Sequence, residues 1–540
     1  MSAETGGRED PAALRDGVTG LLGIPVHAIR MDEGLAAIGR MVEGFRLDGR
    51  ARQVVTLNVD FLVQALGWAV RSARHPELYD VMRRADLVVA DGMPVVWASR
   101  LLGGRLPERV AGADMVPALA AMAAEQGLSI FLLGGKPGSA EQAARLLQER
   151  NPGLLVAGVL APDIASSGAG LASFMEDDVP ILAAVNDARP DILLIGLGCP
   201  KQELWFHRNR RALKAAVSIG VGGTFEFICG NVARAPAWMQ RSGLEWLFRI
   251  YAEPTRLWRR YALGLIQFSF LVLPPVVYAR FRMLLGRFGG GAGTGDADRA
   301  TVIPGVFRGS GKTARAVEVM RLPRILDRTR EEELRGVLYS VLESGRSLIL
   351  DAADLQRLDA AGEGLLLGVW RRAQQLGLQV RLASVHPIMQ RSLRVARCWD
   401  LFAPLSHASI EDALPAIGSE RPAFYWYAAE QRGVRWAGLF GRLDVHAVVD
   451  LGALSLVEEL RAADCILSLK GLEFVDSTGL QLFLQLHRRL QKEGGYRLVL
   501  IEVPVVVGQL FKITKVERLL HVFKDMPSAL GFLSGTLPEK

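Results

Sequence analysis

With 540 residues, half of them hydrophobic, the chain is too long for one core and suits several well-packed domains, which excludes a disordered protein. Its four cysteines, Cys199, Cys229, Cys398 and Cys465, lie far apart with no CxxC pair, which argues against a disulfide framework or a zinc site and fits a reducing compartment. The net charge of +7 is unevenly placed and no recognisable nucleic-acid motif accompanies it, so no nucleic-acid partner is expected.

In chain order, residues 1–19 read as a tail: MSAETGGREDPAAL has neither a basic n-region nor an apolar h-region, and a cytoplasmic location is expected. From 20 to 233 apolar strands alternate with helical stretches. QVVTLN, ADLVVADG, SIFLLGG, DILLIGLG and AVSIGVGG each end in polar or glycine-rich residues before a helix-like run. That is the pattern of a layered α/β domain with a largely parallel sheet, in which ligands bind at the carboxyl ends of the strands.

Residues 234–262 form a basic, aromatic appendage. From Lys201 to Tyr261 there are eleven Lys or Arg against four acids, interleaved with Trp205, Trp238, Trp246, Trp258, Tyr251 and Tyr261. This mixture suits an anionic membrane surface or a phosphorylated substrate. The hydrophobic segment 263–285 follows, and Tyr261 to Ala279 is nineteen residues without a charge, roughly 28 Å as a helix and close to a hydrocarbon core. Pro274-Pro275 is expected to break or kink it, and Arg flanks both ends. Association with the inner membrane is expected, with spanning and lying flat both open. Gly286 to Ala300 reads as a glycine-rich linker.

The second half contains an internal repeat. SLILDAADLQRLDAAGEGLLL (347–367) aligns with DCILSLKGLEFVDSTGLQLFL (464–484), placing Asp359 and Asp476 at equivalent positions, and a helix and strand recur after each. Two tandem small α/β domains are expected, at 301–415 and 420–540. Both resemble the STAS domain, the fold of anti-sigma-factor antagonists and sulfate-transporter tails, whose helix opens with an Asp-Ser-x-Gly turn. The resemblance implies a protein partner or kinase and a phosphate-accepting serine, which the second copy keeps as Ser477 in DSTGL; Ala360 stands there in the first. A helix amino terminus stabilises a phosphate, whose charge alters a docking surface. The alternative role of Ser477 or Asp476 is to cap the helix.

GCPKQELW (198–205), with TLNVDF (56–61), VADGMPVV (89–96), PERVAGADM (107–115), GGKPG (134–138), IGVGGTFEFICG (219–230) and the tract 234–261, resembles the WecG/TagA/CpsF glycosyltransferase family over about residues 20–262, with the motifs in the family's order. The resemblance implies inverting transfer of a sugar from a UDP-sugar to an undecaprenyl-diphosphate-linked sugar, in surface-polysaccharide assembly at the cytoplasmic face of the inner membrane, with no cofactor and no required metal. Asp91 matches the family's proposed general base, its alternative being a cap on the next helix. Thr56 matches a threonine near the catalytic centre, and Asn58 shares its strand face. Arg109 matches an arginine that meets the leaving diphosphate, with a surface salt bridge as the alternative. Gln202 matches a family glutamine, so the Lys201-Gln202-Glu203 triplet is expected to present amide and charge to the substrates. Gly222, Gly223 and Thr224 let backbone approach the nucleotide. Glu226 stands where the family usually has aspartate, and Pro94 where glycine is frequent.

The chain's one DxD triplet, Asp296-Ala297-Asp298, falls in the linker. No GxGxxG follows a strand, which argues against a nicotinamide-dependent dehydrogenase. A non-catalytic nucleotide-sugar sensor or scaffold signalling through the STAS-like pair is the competing reading. Residues 1–262 are expected to fold without the remainder.

Overall fold

The structure is a computed structural model and describes residues 17–68, 73–162, 178–232, 234–236, 238–239, 244–252, 254–288, 317–413, 415–417, 424–431, 434–445, 447, 460 and 463–535. Most of the expected tail and linker, and the DxD triplet with them, lie outside these residues.

The chain opens with an antiparallel hairpin, β1 (Val18–Leu21) and β2 (Ile24–His27). The first domain continues through α1 (Met31–Asp48), β3 (Arg52–Leu57), α2 (Val59–Leu66), α3 (Pro76–Arg84), β4 (Leu87–Ala90), α4 (Met93–Leu101), α5 (Gly112–Gln126), β5 (Ser129–Gly134), α6 (Ser139–Arg150) and β6 (Leu155–Leu160). It is completed by α7 (Asp178–Ala188), β7 (Ile192–Gly196), α8 (Lys201–Asn209), β8 (Val217–Gly220) and α9 (Thr224–Ile228). Six strands make one parallel sheet in the order β4-β3-β8-β7-β5-β6. Every residue of β3, β4 and β8 is buried, as expected of β-branched runs with both sheet faces covered. The helix boundaries are local too: Glu33 accepts from the Arg30 N–H at 2.7 Å to start α1, and Gly49 ends it at φ 65°.

Two helices lead out of this domain, α10 (Glu245–Ala252) and α11 (Pro254–Phe288). The helix α11 runs unbroken through Pro274 and Pro275, where the sequence predicts a break. Tertiary packing outweighs the two missing hydrogen bonds: Phe268, Leu271 and Val272 are buried in one cluster with Phe61, Leu62 and Ala65 of α2.

The first small domain comprises β9 (Val317–Arg321), β10 (Ile325–Leu326), α12 (Arg328–Glu343), β11 (Ser347–Asp351), β12 (Arg357–Leu358), α13 (Ala360–Gln375), β13 (Val380–Ala383), α14 (Pro387–Val395), α15 (Trp399–Phe402), β14 (Ser406–His407) and α16 (Ile410–Ala413), with a parallel sheet ordered β14-β13-β11-β9. The second has β15 (Phe424–Gln431), β16 (Val434–Leu443), β17 (Asp464–Val475), α17 (Ser477–Gly494), β18 (Leu498–Ile501), α18 (Val505–Thr514), β19 (His521–Phe523) and α19 (Met526–Leu533); its five strands run in that order, parallel except for β15.

The repeat holds at the level of single bonds. Asp359 accepts from Ala361 N and Gly362 N at 2.9 and 3.0 Å to cap α13, and Asp476 accepts from Thr478 N and Gly479 N at 2.8 and 2.9 Å to cap α17. The cap is therefore the aspartate, and Ser477 is the exposed first residue of its helix.

The first small domain packs directly on the sheet domain. Gly364 of α13 sits against the Val18 carbonyl so closely that a Cβ there has no room. Arg83 of α3 donates to Asp400 at 2.7 Å and to the Arg397 carbonyl at 2.5 Å, while Arg371 of α13 donates to the Ala85 carbonyl at 3.2 Å and meets His27 Nε2 at 2.7 Å. These contacts pair residues of the hairpin and of α3 with residues 364–400, a surface that a chain ending at 262 would leave uncovered.

An arginine has only donors, so His27 Nε2 accepts from Arg371, while Nδ1 lies 3.0 Å from the Val88 N and 3.1 Å from the Val88 carbonyl. Burial, and then the Arg371 charge, hold His27 well below the ordinary imidazole range. The stability this contact contributes is complete above about pH 6.5 and is lost as pH falls below it, because the unfolded chain then binds a proton the folded one refuses. We expect Tm to drop between pH 7.5 and 5.5 and His27→Gln to flatten that drop, as measured by calorimetry.

Candidate functional site

The carboxyl ends of β3, β4, β7 and β8 gather most of the residues picked out by sequence. The Thr56 hydroxyl, buried in β3, donates to the Gly220 carbonyl at the end of β8 at 2.9 Å. Gly112, the first residue of α5, passes so near that a Cβ would lie 3.7 Å from both Thr56 Cγ2 and Thr224 Oγ1. Thr224 opens α9 with its hydroxyl donating to Val221 O at 2.6 Å. Asn58 lies beyond the strand end, not on its face: it is the N-cap of α2 and accepts from Phe61 N at 3.2 Å.

Asp91 follows β4 directly, half-buried, its N–H donating to Leu57 O at 2.7 Å across to the end of β3. Gly92, at φ 132°, takes the N-cap position of α4, so the chain turns immediately after Asp91 through a conformation that glycine allows. The next loop returns beside it, with Val110 N donating to Ala90 O at 2.8 Å. Arg109 in that loop donates to Asp114 at 2.8 Å and to Glu245 of α10 at 2.5 Å, and Arg234 bonds the second oxygen of Asp114. Sequence reading found Arg109 but missed Asp114, Glu245 and Arg234, because nothing in local spacing links positions separated by up to 136 residues.

The triplet after β7 differs from expectation. Gln202 is buried, and its Oε1 accepts from Gly198 N at 3.2 Å and Gly222 N at 3.1 Å, while Nε2 donates to Glu203 at 2.7 Å. Its amide is thus occupied in tying the turn after β7 to the turn after β8, whose Gly222 has φ 52°. Glu203 is equally buried; burial raises its carboxyl to about 7 against the opposing pull of the Gln202 amide and the Cys199 thiol. Neither side chain presents itself at the surface, and only Lys201, at the first turn of α8, is partly exposed. Gly223 is the N-cap residue of α9. Glu226 belongs to the GGKPG corner, where bonds from Ser139, Asn231 and Lys136 outweigh burial and hold its carboxyl below the usual range.

Among the described residues, no three His, Cys, Asp or Glu side chains gather as a metal site would require. Ser477 stands apart from this cluster, on the second small domain.

The profile of the "Glycosyl transferase WecG/TagA/CpsF family" matches residues 19–280, and that of the STAS domain matches 312–413 and 430–529. An "N-acetylglucosaminyldiphosphoundecaprenol N-acetyl-beta-D-mannosaminyltransferase" of Bacillus subtilis (strain 168) is 33% identical over 214 residues, 38% of this chain and 78% of that protein. An enzyme of the same name from Bacillus spizizenii is 30% identical over 207 residues, 38% of this chain and 73% of that protein. The crystal structure of an anti-sigma factor antagonist from Mycobacterium paratuberculosis is similar at 17% identity and a TM-score of 0.18, covering 20% of this chain and 91% of that one. The order of motifs on the parallel sheet, the extent of the match to these relatives and the tandem repeat together identify the chain as a glycosyltransferase of the WecG/TagA/CpsF family that carries two STAS domains.

Proposed function

We propose that the protein transfers a sugar from a UDP-sugar to a sugar carried on undecaprenyl diphosphate, with inversion at the anomeric carbon. The relatives' names state such a lipid-linked acceptor. The observation that carries the reading is Asp91, a half-buried carboxylate at the carboxyl end of β4, beside the end of β3 and the Arg109 loop. As the acceptor hydroxyl attacks the anomeric carbon, Asp91 takes its proton, and the bond to the nucleoside diphosphate breaks with its electron pair going to the departing phosphate oxygen. Arg109 and Arg234, which share Asp114, form with Glu245 on Arg109 a charge-balanced cluster; an incoming diphosphate competes with those carboxylates for the guanidinium groups. Gln202 and Glu203 act at one remove, by fixing the two glycine turns on which the nucleotide rests, with Gly222, Gly223 and Thr224 giving backbone access. Lys201 supplies charge at the rim, and Thr56 and Asn58 hold the floor and the neighbouring helix start. Incubation with a panel of UDP-sugars and a short-chain prenyl-diphosphate-linked acceptor tests the reading. A chain that binds nucleotide-sugar and never turns it over would be the sensor instead.

The STAS pair divides the work in this proposal. The first copy is a fixed part of the enzyme, held through α13, whereas the second offers Ser477 at an exposed helix start as a phosphate acceptor for a cytoplasmic kinase. Ser477→Asp and Ser477→Ala in the full chain are expected to change the set of co-purifying proteins while leaving transfer in vitro within about twofold. Identical partner sets, with no phosphate found at Ser477 in cells, would reduce the serine to a surface residue.

A further inference from the structure

The 24 residues Trp258–Phe281 of α11 are long and apolar enough to cross a membrane. We infer that this helix does not cross one but lies in the plane of an anionic membrane surface, so that the STAS domains stay on the same side as the transferase. The inference rests on the lipid-linked acceptor only for its purpose; its geometry stands alone.

The helix is pinned to soluble structure along its length. Near its start Arg260 pairs with Asp60 of α2 at 2.5 Å, and in the middle Phe268, Leu271 and Val272 are buried against α2. Towards its end the Tyr278 hydroxyl lies 3.4 Å from Ser392 Oγ, and the Arg391 guanidinium of α14 sits 5.9 Å from the Tyr278 ring. From residue 260 to 278 is about 27 Å of helix, nearly the thickness of a hydrocarbon core. A spanning α11 would have to draw Asp60 and Arg391, with the domains that bear them, into lipid.

The opposite face is bare. Leu263, Ile266, Phe270, Leu273, Val277 and Phe281 recur at spacings of three and four and are each 47–60% exposed, a single stripe along five turns. The exposed Trp68 packs its ring 5.9 Å from that of Phe270 and widens the stripe on the transferase side, and the exposed Trp258 marks its start. Pro274 and Pro275 also offer no N–H to the carbonyls of Phe270 and Leu271, which fall at the midpoint of the apolar window. At the centre of a bilayer that is the most expensive place to lose two donors, and Phe270, 47% exposed, would face lipid there.

The occupant of the stripe follows from charge. The sequence Pro254–Phe288 holds six arginines and no acid, and Arg259 and Arg280 are exposed near the two ends of the stripe. Two such helices meeting face to face would bring like charges together; a surface of anionic headgroups complements them.

The test uses the full chain and two readouts. In flotation, the protein should rise with vesicles containing about one-third phosphatidylglycerol and much less with pure phosphatidylcholine. Ile266→Asp with Leu273→Asp should cut that binding at least tenfold while leaving Tm unchanged, since both residues point outward. In sealed inside-out membrane vesicles, tags at the two termini should be cleaved together by added protease. Tags on opposite sides would establish a spanning helix and overturn the inference. So would a wild-type chain that ignores both vesicle types, or a dimer that the two substitutions dissociate. Flotation is read without turnover, so a chain that binds vesicles yet transfers no sugar counts against the proposed reaction and still supports this placement.

Discussion

Asp91→Asn should keep nucleotide-sugar binding and Tm near those of the wild type and lower kcat by about a hundredfold or more, the scale of a lost general base. The substitution is nearly isosteric, and the backbone N–H of residue 91 keeps its bond to Leu57 O in asparagine. The expected deficit therefore lies in proton removal and not in folding. Turnover within a fewfold of wild type would remove Asp91 from the role.

The other large effect concerns stability. A chain ending at Phe288 keeps the whole parallel sheet and loses α13 to α15, so the hairpin Val18–His27 loses the surface it packs on. Arg83, only 3% exposed, loses Asp400 and the Arg397 carbonyl, and His27 loses Arg371. We expect a loss of about 3–5 kcal/mol from these apolar contacts and charge-assisted bonds together. For a domain of this size that is a fall in Tm of roughly 6–20 °C. Gly364→Leu in the full chain makes the same point without deleting anything, since its side chain has to displace the Val18 carbonyl. A truncated chain melting with the full one would show that the interface contributes nothing.

The fold class was legible because a parallel strand buried on both faces has an apolar run as its signature, and five such runs end in the polar residues that now line one edge of the sheet. The repeat was legible through Asp359 and Asp476, whose capping bonds are the same in both copies. What was not legible is long-range pairing. Pro274-Pro275 reads as a helix break by local rules and is overridden by packing against α2, a contact no window of sequence contains. Gln202 reads as a ligand-facing amide by its motif, yet it is buried and bonds Gly198, Gly222 and Glu203 once two strand ends are brought together. Arg109 reads as a diphosphate contact or a salt-bridge partner, and its partner Glu245 comes from a helix outside the sheet that no local window contains.

The docking of α13 on the first hairpin also sets a timetable for synthesis. Arg371 and His27 are 344 positions apart, so the apolar underside of residues 18–27 leaves the ribosome long before its cover exists. At 5–20 residues per second the wait is roughly 17–70 s, far longer than the microseconds in which a hairpin forms or a small chain collapses. The sheet domain must either hold an unfinished edge through that interval or remain attached to a chaperone. Substitutions in the first STAS domain should accordingly appear first as a lower yield of soluble enzyme, in molecules whose catalytic residues are unaltered.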